Sequence, residues 1–223
     1  MKCYCYETET EFVYCVEGAK GKIRRKLKAD PWWKQSGGKF LKVYPMDTGW
    51  DDAWYLDTEY KEAIIDNFAR LGAAWIAGVF DWEKALLVLA QKFAENGIEW
   101  CIGGSVSEAV RGVDIKPHDI DIGVNVRDFY TVKELFRAYT MEPLGDNHGN
   151  WLVRYFGKLC VEGAQVDIAA DEKLDRENLQ LDKVLWQGYE VYVTPLQERY
   201  QVELSRKRKD RIRAIKAYMK KHG

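Results

Sequence analysis

No stretch of the chain stays apolar for the roughly 18 to 20 residues that cross a bilayer, so no membrane-spanning helix and no membrane partner is expected. The opening "MKCYCYETET" lacks the apolar centre of a secretory signal, which makes a cytoplasmic protein the default. Internal repeats and low-complexity linkers are missing too. Cysteine is sparse and odd in number: five residues, at 3, 5, 15, 101 and 160. That argues against an extracellular disulfide framework in a chain of 223 residues. Cys3, Cys5 and Cys15 could supply three zinc ligands, but C-x-C is not the usual C-x₂₋₄-C knuckle. Alternating with Tyr4 and Tyr6, they read better as strand residues.

Net charge is nearly absent as well, with 34 Lys and Arg against 35 Asp and Glu. The balance hides local asymmetry. "KGKIRRKLK" (20–28) and "RKRKDRIRAIKAYMKK" (206–221) are strongly basic, whereas "DTGWDDAWYLDTEY" (47–60) is acidic and aromatic. Basic runs of this kind bind phosphates or form a solvated face.

Hydrophobic periodicity outlines the elements. "CYCY" and "FVYCV" suggest a hairpin within 3–16, and "KFLKVYP" (39–45) a strand ended by Pro45. Residues 58–75 carry a helical rhythm, and a second helix starts at Asp81 as N-cap and stops at Gly97. Residues 98–102 read as a strand running into Gly103-Gly104-Ser105. Ser105 and Glu108 fit a capping box, and Gly112 fits a helix stop. Strands are expected at 119–126, 150–156 and 158–170, with a helix over 127–139 capped by Asp128. "YEVYVTP" is a strand before a helix start marked by Thr194, Pro195 and Gln197. The tail from Ser205 to His222 is a basic helix. Strands and helices without regular βαβ order predict an α+β fold: a mixed sheet flanked by helices, with an accessory region over 1–80 and the main domain over 81–223.

Chemistry concentrates in "KPHDIDIGV" (116–124). Strand side chains alternate faces, so Asp119 and Asp121 point one way and Ile120 and Ile122 the other. Two carboxylates roughly 7 Å apart repel, and divalent metal would relieve that repulsion. Two Mg²⁺ ions bound by carboxylates and substrate phosphates would suit phosphoryl transfer. A solvated acidic face is the plainer reading of Asp-x-Asp alone. In "AQVDIAA", however, Asp167 is again a lone acid on an apolar strand, and pairing beside the first strand would place it on the same face. The Gly103-Gly104-Ser105 turn could present amides to an anion, or could be a tight turn that needs glycine for its dihedrals.

The segment "GGSVSEAVRGVDIKPHDIDIGV" (103–124), followed by "VDI" (166–168), resembles the DNA polymerase β-like nucleotidyltransferase superfamily. Within it, "KPHDIDI" is most similar to the aminoglycoside and lincosamide nucleotidyltransferases, and "SRKRKDRIRAI" (205–215) resembles their basic C-terminal motif. The tRNA CCA-adding enzymes are further relatives, but Ser107 and Glu108 replace their Arg-Asp pair. The resemblance implies transfer of a nucleoside monophosphate from a triphosphate such as ATP to an acceptor hydroxyl, with pyrophosphate released. Gly103, Gly104, Ser105 and Lys209, with Arg206 beside it, would hold the triphosphate. Asp119, Asp121 and Asp167 would bind two Mg²⁺ ions, with Asp167 also the base. Arg111 would contact phosphate or offset a helix dipole, and His118 would serve a structural role.

A small molecule is the favoured acceptor. RNA is the alternative that "KGKIRRKLK" and Trp32-Trp33 would serve, a protein acceptor is the toxin-like one, and a non-catalytic binding module is the third. The remaining tryptophans of the first region, Trp50 and Trp54, read as core or as a partner surface.

Overall fold

A computed structural model describes residues 1–46, 53–148 and 152–222. Trp50, and residues 149–151 with the start of the strand expected at 150–156, lie outside the described residues. The expected hairpin is present: β1 (Lys2–Glu7) and β2 (Glu11–Glu17) pair antiparallel, with Cys3 opposite Val16 and Glu7 opposite Phe12. The basic run that follows is a helix, α1 (Gly21–Ala29), anchored by buried Leu27. β3 (Lys34–Ser36) and β4 (Lys39–Pro45) complete a four-stranded sheet in the order β1-β2-β4-β3. All five cysteines are free thiols, and burial pushes Cys3 up to about 11.

Two long helices follow. α2 (Thr58–Ala77) starts where the Asp57 side chain accepts from the Tyr60 amide and stops at left-handed Gly78. α3 (Trp82–Glu95) starts at Asp81, which accepts from the Lys84 amide as expected. Then come β5 (Trp100–Ile102), α4 (Val106–Ala109), β6 (Ile120–Val124), α5 (Phe129–Leu135), β7 (Thr140–Asp146), β8 (Tyr155–Val161), β9 (Ala164–Ala170), β10 (Asp182–Trp186) and β11 (Tyr189–Val193). They form a seven-stranded mixed sheet in the order β10-β11-β5-β6-β9-β8-β7. α6 (Leu196–Ser205) and α7 (Lys209–His222) end the chain. The architecture is α+β, with sheets flanked by helices. Among the described residues no helix is long and apolar enough to cross a membrane.

Several expectations are corrected. The capping box is absent: Ser105 makes no capping bond, and the Glu108 carboxylate accepts instead from Arg199 Nε at 2.9 Å. α5 covers only half of 127–139, single 3₁₀ turns flank it, and Asp128 does not cap it. The strand placed at 150–156 belongs instead to β8, from Tyr155. β7 carries Pro143 and Gly145 and gives no strand signal, yet it sits at the sheet edge, where proline is tolerated. The basic tail is two helices, broken at Lys207 with φ +56°.

The larger core lies around the seven-stranded sheet; a second fills the space between the four-stranded sheet and α2 and reaches Met141 and Cys160. Polar ties join the two regions. Tyr14 donates to the Met141 carbonyl (2.9 Å), and the Asn67 amide donates to the carbonyls of Ala138 and Thr140 (2.9 Å each). Lys42 donates to Glu142 at 2.6 Å with both side chains buried.

Candidate active site

β6 alternates as its sequence demands: Ile120, Ile122 and Val124 are buried, while Asp121 is half-buried on the opposite face. Asp119 sits one residue before the strand. β9 runs parallel to β6 and sets Asp167 directly beside Asp121, with Ile168 beside Ile122. Paired residues in neighbouring strands face the same way, so the later acid shares the face of the earlier ones. β8, antiparallel on the other side of β9, brings Lys158 opposite Asp167.

The three acids have different partners. Asp119 lies 3.7 Å from the Lys26 ammonium. Lys26 donates to the Gln165 side-chain carbonyl (3.1 Å), and the Gln165 amide donates to Asp167 (2.7 Å). Burial, then the charges of Asp119 and Asp167, push the Asp121 carboxyl up to about 7. Burial also raises Asp167, against the pull of Lys158 and of the Gln165 hydrogen bond. Among the described residues no group of three or more His, Cys, Asp and Glu side chains is gathered tightly enough to hold a metal ion. The expected triad therefore shares a face without converging on one point, since Lys26 and Gln165 draw its outer members aside.

The donor set nonetheless fits Mg²⁺. Carboxylate oxygens are its preferred protein ligands, with phosphates and water completing the shell. Asp121 is raised by burial and by the charges of Asp119 and Asp167, against the weaker pull of Arg199 and Arg206, and a bound cation would relieve that crowding of acids. Gly104 adds a cradle: with φ +52°, its absent Cβ would fall on the Asp121 carboxylate. The Gly103 amide fixes the turn by donating to the Asp121 carbonyl (2.8 Å). α4 is only four residues long, so its dipole adds little to any anion site here.

Two cavities meet at these carboxylates. One, of about 680 Å³, is bounded by Gly104, Ser105 and Asp121, by Lys22, Arg25 and Lys26 of α1, and by Arg206, Arg208 and Arg211 from the tail. His118 stands at its edge, its imidazole pushed below the ordinary value by burial and then by Arg211. The other, of about 550 Å³, lies between the two sheets and is lined by Asp119, Asp167 and many aromatic side chains. Lys26, Leu71, Trp75, Asp119 and Gln165 line both.

Lys209 is exposed at the start of α7 and is not among the residues lining the cationic cavity. Arg111 does not line the cationic cavity; it donates to Asp182 (2.9 Å) and to the Thr194 carbonyl (2.8 Å). The tail arginines are instead organised by buried Glu203, which Arg199 (2.8 Å), Arg211 (3.4 Å) and Arg208 (3.5 Å) approach. Sequence reasoning marked 20–28 as a basic run that can bind phosphates but did not place Lys22, Arg25 and Lys26 beside the carboxylates. Their i, i+3, i+4 spacing, which puts residues on one helix face, was the available signal. Gln165 and Lys158 gave none, because their roles depend on strand pairing.

No protein-family model and no curated protein sequence matches the chain. Among solved structures it is similar to a protein of Thermotoga maritima taken to be a nucleotidyltransferase, at 21% identity and TM-score 0.50, over 63% of this chain and 94% of that one. It is also similar to the lincosamide antibiotic adenylyltransferase LnuA in its lincomycin-bound form, at 13% identity and TM-score 0.46, over 60% of this chain and 96% of the other. The antibiotic-resistance factor ANT(2'')-Ia aligns at 13% identity and TM-score 0.44, over 65% and 86% of the two chains. The likeness to the Thermotoga maritima protein shows a fold of the nucleotidyltransferase type.

Proposed function

We propose that the protein is a nucleotidyltransferase that moves a nucleoside monophosphate from a triphosphate to the hydroxyl of a small molecule. The observation that carries this reading is the register placing Asp167 beside Asp121, next to a glycine turn and beneath a cationic cavity. The triphosphate lies in that cavity, against Gly103, Gly104 and Ser105, with Arg206, Arg208 and Arg211 on the tail side and Lys22 and Arg25 on the α1 side. Residues 81–223 act as the transferase domain, and 1–80 as an accessory region that lends α1 to the phosphates.

Asp119, Asp121 and Asp167 would hold Mg²⁺, which would supply charge neutralisation at the phosphates. Asp167, kept above the ordinary carboxylate range, accepts the acceptor's proton. The acceptor oxygen forms a bond to the α-phosphorus while the bond from that phosphorus to the bridging oxygen breaks. Pyrophosphate leaves with the electron pair, and the basic side chains stabilise its charge. The aromatic-lined cavity beside Asp167, of a size for one small molecule, favours a small acceptor over a polymer.

Incubation with each labelled triphosphate and Mg²⁺ tests the proposal. Metal-dependent triphosphate binding is expected, and its absence at every pH refutes the reading. Two variants probe the geometry. Arg206→Ala should raise KM for the triphosphate about five- to ten-fold with kcat little changed, because the exposed guanidinium contributes binding alone. Gly104→Ala should turn the Asp121 carboxylate aside and lower kcat about 10- to 100-fold. Its left-handed backbone adds a stability cost of about 1–2 kcal/mol, readable by urea unfolding.

A further inference from the structure

The geometry points to an acceptor site in the 550 Å³ cavity for one uncharged, planar aromatic molecule bearing a hydroxyl, an inference that rests on nucleotidyl transfer as the reaction. The walls supply the first argument. Trp33, Trp75, Phe156, Leu71 and Met141 line the cavity, and Trp33 is already stacked on Phe68 with centroids 6.1 Å apart and planes 20° from parallel. Flat indole and phenyl faces recognise flat ligands, because stacking adds to area burial.

The cavity's charges supply the second. Each one that lies deep is satisfied from within the protein. Glu142 accepts from Lys42 (2.6 Å) and Tyr44 (3.0 Å) and lies 3.5 Å from Lys158. Asp146 accepts from Arg154 (2.9 Å) and from the His148 amide (2.8 Å). Lys26 is engaged by Gln165 and Asp119. Beyond Asp30 and Asp167, a polycationic sugar would have to break these pairs to find counter-charges, and each break would leave a desolvated ion behind. An uncharged ring leaves them intact.

Position supplies the third argument. The cavity reaches the catalytic face at Asp167 and Asp119 and joins the cationic cavity along Lys26, Gln165 and Trp75. A hydroxyl at that end meets Asp167, the proton acceptor, with the α-phosphorus on the other side. The volume accommodates one drug-sized molecule, within the roughly 300–1,000 Å³ typical of such sites. The accessory region thus builds the roof of the acceptor site through β4, α1 and the Trp32-Trp33 corner.

Calorimetry on the full chain with 2-naphthol as the aromatic hydroxyl probe, and kanamycin as the polycationic one, tests the assignment. Saturable one-to-one binding of 2-naphthol is expected, with Kd on the order of 100 µM. Trp33→Ala should weaken it about ten-fold, or about 1.4 kcal/mol. Should Trp33→Ala misfold, Trp32→Ala and Val43→Trp provide the same readout. Both positions are exposed at the cavity, 44% and 40%, and the larger side chain at 43 narrows it. Failure of 2-naphthol to bind, indifference of its binding to all three substitutions, or tighter binding of kanamycin each overturns the assignment. ATP binding, measured in parallel with Mg²⁺, is expected to survive Val43→Trp. If ATP does not bind while 2-naphthol still senses Trp33, the transfer reading fails and the aromatic site stands.

Discussion

Asp121→Asn is expected to lower kcat by about 10³-fold or more while leaving the protein folded and, without metal at pH 8, more stable. The two effects share one cause. Asp121 sits beside Asp167 in register and within the field of Asp119, on a face that burial has partly stripped of water. Ionising it there is costly, and its carboxyl is pushed up to about 7. For an acid raised in this way, stability is full below the ordinary value near 3.8 and is lost as pH rises through about 7. Asparagine keeps the shape and removes the charge. Urea unfolding in chelator should therefore show the variant about 1–2 kcal/mol more stable at pH 8, with the gap closing toward pH 4. In the proposed reaction catalysis should move the other way, because the charge that burdens the folded protein is the one that would hold metal against the phosphates. A 10³-fold loss corresponds to about 4 kcal/mol of transition-state stabilisation. Retained activity would remove Asp121 from the reaction. Lost stability would mean that its carboxylate is a structural anchor.

Much of this site is legible in "HDIDIGV", because one face of the strand must feed a core. Ile120, Ile122 and Val124 are all buried, so period-two alternation alone orients Asp121. Asp167 is legible by the same rule, and the parallel pairing of β6 with β9 does the rest. What fails to show is whatever depends on partners far along the chain. Glu108 has every local reason to cap α4, yet Arg199, 91 residues later, takes it. Lys209 lies in a basic run with nothing local to single out its neighbours, and only buried Glu203 makes the arginines the organised set. β7 is the clearest failure. "TMEPLGD" combines proline, glycine and acids, and no propensity scale makes a strand of it. It becomes one because the four-stranded sheet and α2 cover it, and because Glu142 finds Lys42 exactly one hundred residues earlier in the chain.

That same pair gives the largest effect on stability. Glu142→Ala is expected to cost about 3–5 kcal/mol, because it leaves Lys42 and Lys158 buried without their shared counter-charge. Burial by itself would raise the Glu142 carboxyl, but Lys158 and Lys42, with hydrogen bonds from Lys42 and Tyr44, outweigh it and hold the carboxyl near about 2. For an acid lowered in this way, the stabilisation is complete above about 4.5 and is lost as pH falls through about 2. The wild-type urea midpoint should accordingly decline between those values by an increment missing in the variant. Removing both charges with Lys42→Met and Glu142→Leu should recover most of the loss, since the desolvation cost disappears with them. The effect should also reach the chemistry. Lys158 faces Glu142 on one side and Asp167, its cross-strand partner, on the other. Without Glu142 its ammonium turns to Asp167, stabilises the ionised carboxylate and weakens it as a base. A fall in kcat of about ten-fold, with triphosphate affinity unchanged, is the expected signature. If kcat holds while stability falls, Lys158 does not couple the buried pair to the base, and Glu142 serves only to bind β7 to the sheet above it.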